Sequence, residues 1–391
     1  MIIKNANVFI NGSFHACDVR YDAEGIQEIG RDLSGDEIID AQGYDLYAGM
    51  VDAHCHGGFL CGFNYSTSFQ KQGSHEEQIR RLLKKLPETG VTTVYPTLAI
   101  ISPPIREMYE DMRDSVRTIR KVHESYEGAE PLKFHFEHPF PTLDRYLVEG
   151  LQPATKEIAD LVTDGIYSDV GIFGIAPDYD NALEFMDFLV SKGVEPEDGY
   201  TKATAEQTKL AADHGMSQAS HLFNGYQPMH HRTSGPSEGV LLEDRIKAQL
   251  TLDGYHVNPA WVRLTLKVKG IENCYGITDL SGYSGLPDGE NVMDDGTVIV
   301  TKDGFNWRED GHLKSGNMTA NEIMRCAKEK VGLTKEEVGL LFFENPAKCL
   351  NLSDRGRIEV GRRSDLVLMD ENYRVIKTII KGEVYYEADN D

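Results

Sequence analysis

The chain changes texture twice along its length. Residues 2–10 are rich in β-branched and aromatic side chains, Asn11-Gly12 is a hairpin-turn pair, and residues 14–20 alternate apolar and polar positions. The far end repeats this texture in residues 356–361, 364–370, 374–382 and 383–386. Two strand-rich ends around a different middle predict one small β-sandwich domain built from residues 1–49 and 350–391. The middle alternates strand-like runs (90–97, 133–137, 171–177, 218–222, 249–253, 274–279) with helix-like ones such as 76–88, 182–192 and 204–214. Repeated βα units predict an α/β fold, a TIM-type (β/α)8 barrel over residues 50–349. No G-x-G-x-x-G or Walker motif opens a helix, so nucleotide-binding folds lack their fingerprint.

Composition narrows the function classes. With 391 residues the chain can hold one large domain and a small one. No apolar stretch is long enough to span a membrane, and the first residues lack a basic segment followed by an apolar one, so neither membrane insertion nor a signal peptide is expected. Six scattered cysteines without a C-x-x-C spacing fit reduced thiols and a cytoplasmic location. A net charge of −23 argues against nucleic acid as a partner. An anionic substrate would need a local basic pocket against that background.

The candidate chemistry begins at Asp52-Ala53-His54-Cys55-His56. On a strand, side chains two apart share a face, so His54 and His56 lean the same way and are suited to grip one divalent ion. Glu137, His221, His256 and Asp279 stand at or just after other candidate strand ends, which is where a (β/α)8 barrel keeps its active site. One such residue is usually a cap or a turn. Six at the ends of five strands point to a metal-dependent hydrolytic site. His230-His231 is set aside, because adjacent side chains rarely converge on one ion. The glycine-rich stretch 281–289 is either a mobile loop over the pocket or a long surface connection.

Taken together, several segments resemble the amidohydrolase superfamily, and within it the N-acetylglucosamine-6-phosphate deacetylase family. They are Ala48-Gly49-Met50-Val51-Asp52-Ala53-His54-Cys55-His56-Gly57, His135-Phe136-Glu137-His138-Pro139-Phe140, Ile175-Ala176-Pro177-Asp178, Ser220-His221-Leu222-Phe223-Asn224-Gly225, His231-Arg232, Asp253-Gly254-Tyr255-His256-Val257, Ile277-Thr278-Asp279 and Asn345-Pro346-Ala347. The resemblance implies deacetylation of N-acetylglucosamine 6-phosphate to glucosamine 6-phosphate and acetate, by a cytoplasmic homodimer. It implies a divalent metal, zinc above all with Fe2+ as an alternative, as one or two ions. His54, His56, Glu137 and Asp279 would line the first metal position and His221 the second. Such an ion lowers the pKa of a water and polarises the acetamide carbonyl. Asp279 would be the catalytic base, later returning a proton to the leaving amine. Arg232, Asn224 and Gly225 would hold the sugar phosphate, with His256 contacting phosphate or sugar, in this family often from the neighbouring subunit of the dimer.

Three positions depart from the family pattern. Glu-Gly-Pro is Glu137-His138-Pro139 here, and Gly-His-Ser is Gly199-Tyr200-Thr201, so a usual histidine ligand is Tyr200. A substrate-contacting histidine appears as Gln152, shortly after Gly150. His138 either substitutes as a ligand, the second metal position is vacated, or His138 is a loop residue packed on the barrel rim. These departures keep two alternatives open: a related amidohydrolase acting on another N-acyl amino sugar, such as N-acetylgalactosamine 6-phosphate, or another amide; and a non-catalytic sugar-phosphate-binding homologue.

Overall fold

A computed structural model describes residues 1–100, 105–144, 151–293 and 295–389; Gly150, which precedes Gln152 in the family pattern, lies outside them. Eight parallel strands follow one another around the central sheet: Met50–Cys55, Val91–Ala99, Phe134–Glu137, Val170–Gly174, Glu195–Asp198, Gln218–Ala219, Lys247–Thr251 and Cys274–Ile277. A parallel bridge between Cys55 and Leu280 closes the ring. Val91–Ala99 is buried at every position, as a strand covered on both faces must be.

Each strand leads into a helix. In order these are His75–Lys85, Ile105–His123, Lys156–Thr163, Ala182–Ser191, Ala205–Asp213, Pro236–Leu242, Pro259–Lys269 and Ala320–Cys326, so the expected (β/α)8 barrel is present. Helix starts are chemically marked: Ser74 with Glu77, and Thr204 with Gln207, form reciprocal capping boxes.

The barrel interior has two levels. Val51, Ala53, Tyr95, Ile172, Tyr275 and Ile277 pack with Ala347, Cys349 and Leu350, which close the lower end. Above them the inward-facing residues turn polar, and the candidate site stands on that layer.

The two ends of the chain share one eight-stranded sheet, in which Asp45–Ala48 bridges Ile2–Ile10 and Leu366–Met369. The sheet encloses a core of its own, including Val8, Val19, Leu46, Leu366 and Ile379. On its other face Tyr47 stacks on Phe343 with ring centroids 4.2 Å apart. Between sheet and barrel, Glu130 accepts from Arg355 at 3.0 Å and from Arg363 at 2.5 Å. Asn11-Gly12 forms the expected tight turn, with φ of 50° and 78°.

Two elements differ from the sequence reading. Glu195–Asp198 is a barrel strand although its sequence, Glu-Pro-Glu-Asp, reads as a turn. The stretch after Asp279 is neither a free loop nor a plain connection. Phe59 and Leu60 donate to the carbonyls of Ser284 and Gly282, and the chain then forms a four-stranded antiparallel sheet, Gly289–Val292, Val298–Lys302, Phe305–Arg308 and Leu313–Gly316. Among the described residues no helix is long and apolar enough to cross a membrane.

Candidate metal centre

The first strand ends at Cys55, and His54 and His56 leave its upper end on the same side, with Nε2 atoms 3.2 Å apart. Phe134–Glu137 pairs with Val91–Ala99 in a register that sets Glu137 opposite Ala99, at the top of the wall. Glu137 Oε1 lies 3.2 Å from His54 Nε2 and Oε2 lies 3.2 Å from His56 Nε2. Asp279 stands two residues beyond Cys274–Ile277, with Oδ1 3.5 Å from both imidazole Nε2 atoms. Its backbone N–H donates to the His54 carbonyl at 2.9 Å. Below it, Thr278 donates its hydroxyl to Asp52 at 2.5 Å. These bonds tie the last strand to the first and fix Asp279 over His54.

The spacing fits one ion. Ligand atoms about 2.0–2.1 Å from a tetrahedral metal stand roughly 3.3–3.4 Å from one another. His54, His56 and Glu137 lie 3.2 Å from one another, with ligand atoms grouped as around a single ion, and Asp279 stands 3.5 Å from the two imidazoles. The electrostatics agree. Burial alone would raise the Glu137 carboxyl, but His54, His56 and His138 hold it well below the usual range. Burial opposes ionisation of Asp279 too, yet His54, His56 and His221 bring it down to about 2. Burial would lower His56, and the two carboxylates instead push it up to about 10. Anionic oxygens and imidazoles this close suit a cation among them.

A second cluster adjoins Glu137. His221 Nε2 is 2.7 Å from Glu137 Oε1, and His221 Nδ1 donates to the Asn224 carbonyl at 2.9 Å. Tyr200, where the family pattern has histidine, donates its hydroxyl to Glu137 Oε1 at 2.9 Å and lies 3.0 Å from His221 Nε2. His138 Nδ1 is 3.2 Å from Glu137 Oε2, and its ring rests on that of Tyr200 with centroids 3.9 Å apart. Gly225 backs the same phenol: a Cβ there would stand 3.0 Å from the ring. His138, Tyr200, His221 and Asp279 all adopt positive φ (38°, 53°, 20° and 51°), which turns each side chain inward just past its strand.

Two cavities meet at His56. One, of about 200 Å3, is lined by Asp253, His256, Asp279 and Lys314. The other, of about 790 Å3, is lined by Glu137, His138, Phe69, Tyr283 and again Lys314. Asp253 Oδ2 lies 2.5 Å from His256 Nδ1; burial would lower this imidazole, and the carboxylate raises it. Of the other expected substrate residues, Asn224 and Gly225 flank the His221–Tyr200 cluster. Arg232 lies exposed on the 227–234 loop and Gln152 is exposed with its carbonyl accepting from Tyr179; neither lines these two cavities.

Residues given no role from the sequence complete the site from below. Glu197, Gln249 and the ring of His135 form a buried layer under His54. Burial pushes the Glu197 carboxyl up to about 8 and His135 down to about 3. Only their inward position on alternate strand residues could have signalled them.

Comparisons with known proteins agree with this architecture. The chain is 26% identical over 401 residues to an N-acetylglucosamine-6-phosphate deacetylase of Lysinibacillus sphaericus, covering 100% of this chain and 99% of that one. It is 29% identical to the Bacillus subtilis (strain 168) enzyme of the same name, covering 88% and 86%. A solved N-acetylglucosamine-6-phosphate deacetylase from Pasteurella multocida superposes with a TM-score of 0.85 at 25% identity, over 98% of both chains. One from Thermotoga maritima gives 0.81 at 26% identity, over 99% of this chain and 100% of that one. The profile of the amidohydrolase family matches residues 46–385, nearly the whole chain, and the protein therefore belongs to that family of hydrolases.

Proposed function

We propose that this amidohydrolase removes the acetyl group of N-acetylglucosamine 6-phosphate, giving glucosamine 6-phosphate and acetate. The observation that carries the reading is His54, His56 and Glu137 at the spacing of ligands to one ion with Asp279 beside both imidazoles, in a chain alike over nearly all its length to enzymes bearing that name. A divalent ion held by these residues, zinc in this reading, would acidify a water molecule and polarise a carbonyl. Asp279 takes the proton of the attacking water and hands it to the nitrogen as the C–N bond breaks. Its depressed carboxyl keeps it ionised before the water attacks. His138 orients Glu137 through its 3.2 Å contact.

We assign a single ion to the site. A neutral phenol is a poor ligand, and Tyr200 bonds to both Glu137 and His221, the groups that would share a second ion. His256, whose imidazole the neighbouring Asp253 carboxylate holds above its ordinary value, supplies a donor for the sugar phosphate from within the chain. Arg232, exposed as it is, fits the same role from a neighbouring subunit, so the reading includes a homodimer. It also includes a cytoplasmic setting and a division into a β-domain (1–49 with 350–391) and a barrel (50–349).

The test is acetate release from N-acetylglucosamine 6-phosphate by zinc-loaded protein, beside a chelated control, D279N, and a panel with N-acetylgalactosamine 6-phosphate and the unphosphorylated sugar. Metal-dependent release that falls about 10²–10⁴-fold in D279N is expected. Absence of turnover of the phosphorylated glucosamine derivative by folded, loaded protein would overturn the assignment.

A further inference from the structure

The polar layer under the metal centre is sealed from solvent: Thr97, His135, Glu197 and Gln249 are each no more than 1% exposed. No lysine or arginine reaches Glu197 among its hydrogen-bonding and ion-pair partners in the described residues. A carboxyl buried without a cation costs stability, and apolar side chains would pack the same space more cheaply. The layer therefore calls for a role beyond filling the barrel.

Its bonds run in one direction. Gln249 Nε2 donates to Glu197 Oε1 at 2.5 Å. The opposite oxygen, Oε2, lies 2.7 Å from His135 Nε2. Any proton that Glu197 carries goes to that second contact, where a ring nitrogen can share it, and Oε1 is left to accept. The amide of Gln249 is thereby oriented, with its N–H2 toward Glu197 and its carbonyl toward His54 Nδ1, 2.8 Å away. A carbonyl only accepts, so His54 Nδ1 must carry the ring proton. The unprotonated nitrogen is then Nε2, the atom 3.2 Å from both His56 Nε2 and Glu137 Oε1. In the other tautomer an N–H would point into the site and block coordination.

We propose that Glu197 and Gln249 are positioning residues that lock His54 as its Nδ1–H tautomer and so present an open Nε2 lone pair to the metal. The inference rests on the metal reading given above, but its direct signature does not need the ion.

The test labels histidine with 15N in the full-length chain and reads the ring-nitrogen signals after chelation, with those of His54 assigned by their loss in H54N. Zinc affinity is measured in parallel by competition with a chelating dye. The wild type should show Nδ1–H at His54. Q249L should show mixed tautomers and bind zinc 10–100-fold more weakly, with the unfolding midpoint of the chelated protein little changed. The double swap E197Q/Q249E keeps the pattern, because the introduced carboxylate accepts from both His54 and the introduced amide. It should restore tautomer and affinity, and it carries the test if Q249L does not fold. An Nε2–H signal in the wild type or in the folded swap would overturn the proposal, as would Q249L with unchanged tautomer and zinc affinity. A wild type that shows Nδ1–H yet binds no zinc would remove the metal reading and leave the lock standing.

Discussion

The Tyr200 hydroxyl donates to Glu137 Oε1 across 2.9 Å. In doing so it fills the space beside His221 with a neutral oxygen and holds one face of the carboxylate that His54 and His56 share.

Replacing that phenol by an imidazole should change the metal count. Wild-type protein equilibrated with zinc and desalted is expected to carry one ion per chain, and Y200H two, because the new ring would join His221 and Glu137 as a good ligand. Y200F should stay at one. Elemental analysis of the three proteins decides the matter; two ions in the wild type or one in Y200H would contradict the single-ion site.

Gly225 holds the phenol from the other side. Its φ is +71°, and a Cβ at this position would stand only 3.0 Å from the Tyr200 ring, which leaves room for hydrogen only. G225A should lower stability by about 1–2 kcal/mol from the left-handed backbone alone. It should also reduce turnover by displacing Tyr200. Thermal unfolding and acetate release measure the two effects, and a variant indistinguishable from wild type in both would refute the argument.

The contact between sheet and barrel is electrostatic at its centre. Glu130 faces Arg355, which is 6% exposed, and Arg363. Burial would raise this carboxyl, and the two guanidinium groups hold it low. E130A removes the shared anion but leaves Arg355 with Asp354 and Arg363 with Asp365, a loss of about 1–3 kcal/mol. Urea midpoints test this; a shift below about 1 kcal/mol would mean that water replaces the carboxylate.

Lys269 gives the fold a pH signature away from the site. It is 2% exposed, donates to the carbonyls of Val240 and Glu243, and is pushed by burial from 10.5 down to about 8. Between these pH values the unfolded chain holds a proton that the folded chain releases, so this group makes stability rise with pH across the window. Relative to K269M, the wild type should gain on the order of 3 kcal/mol between pH 8 and 10.5. Parallel slopes for the two proteins would show that the ammonium is not penalised by burial.

Much of this was legible in the chain. The two-residue spacing of His54 and His56 carries the strand period directly into a shared face, and the alternation of strand and helix runs carries the barrel. Glu137 and Asp279 follow as strand-end residues. The strand Glu195–Asp198 was not legible, because Pro196 and three acids favour a turn and only burial between neighbouring strands overrides that preference. The antiparallel sheet after Asp279 had a usable sign in Asp303-Gly304, whose φ values of 56° and 84° make the tight hairpin turn that such a pair favours. Tyr200 stood out as a missing ligand, but its bonds depend on a left-handed backbone that no local pattern announces. Glu197 and Gln249 meet across the barrel interior from strands two apart, at a separation in sequence that spacing does not encode.

The left-handed residues His138, Tyr200, His221 and Asp279 set a boundary on how this enzyme can be improved. Each non-glycine residue held there forgoes on the order of 1 kcal/mol or more that glycine or asparagine would recover. A library selected for thermal resistance alone would drift toward those two residues at positions 138, 200, 221 and 279, and would dismantle the chemistry as it grew hardier. Selection for robustness in this scaffold has to be run with turnover in the same screen.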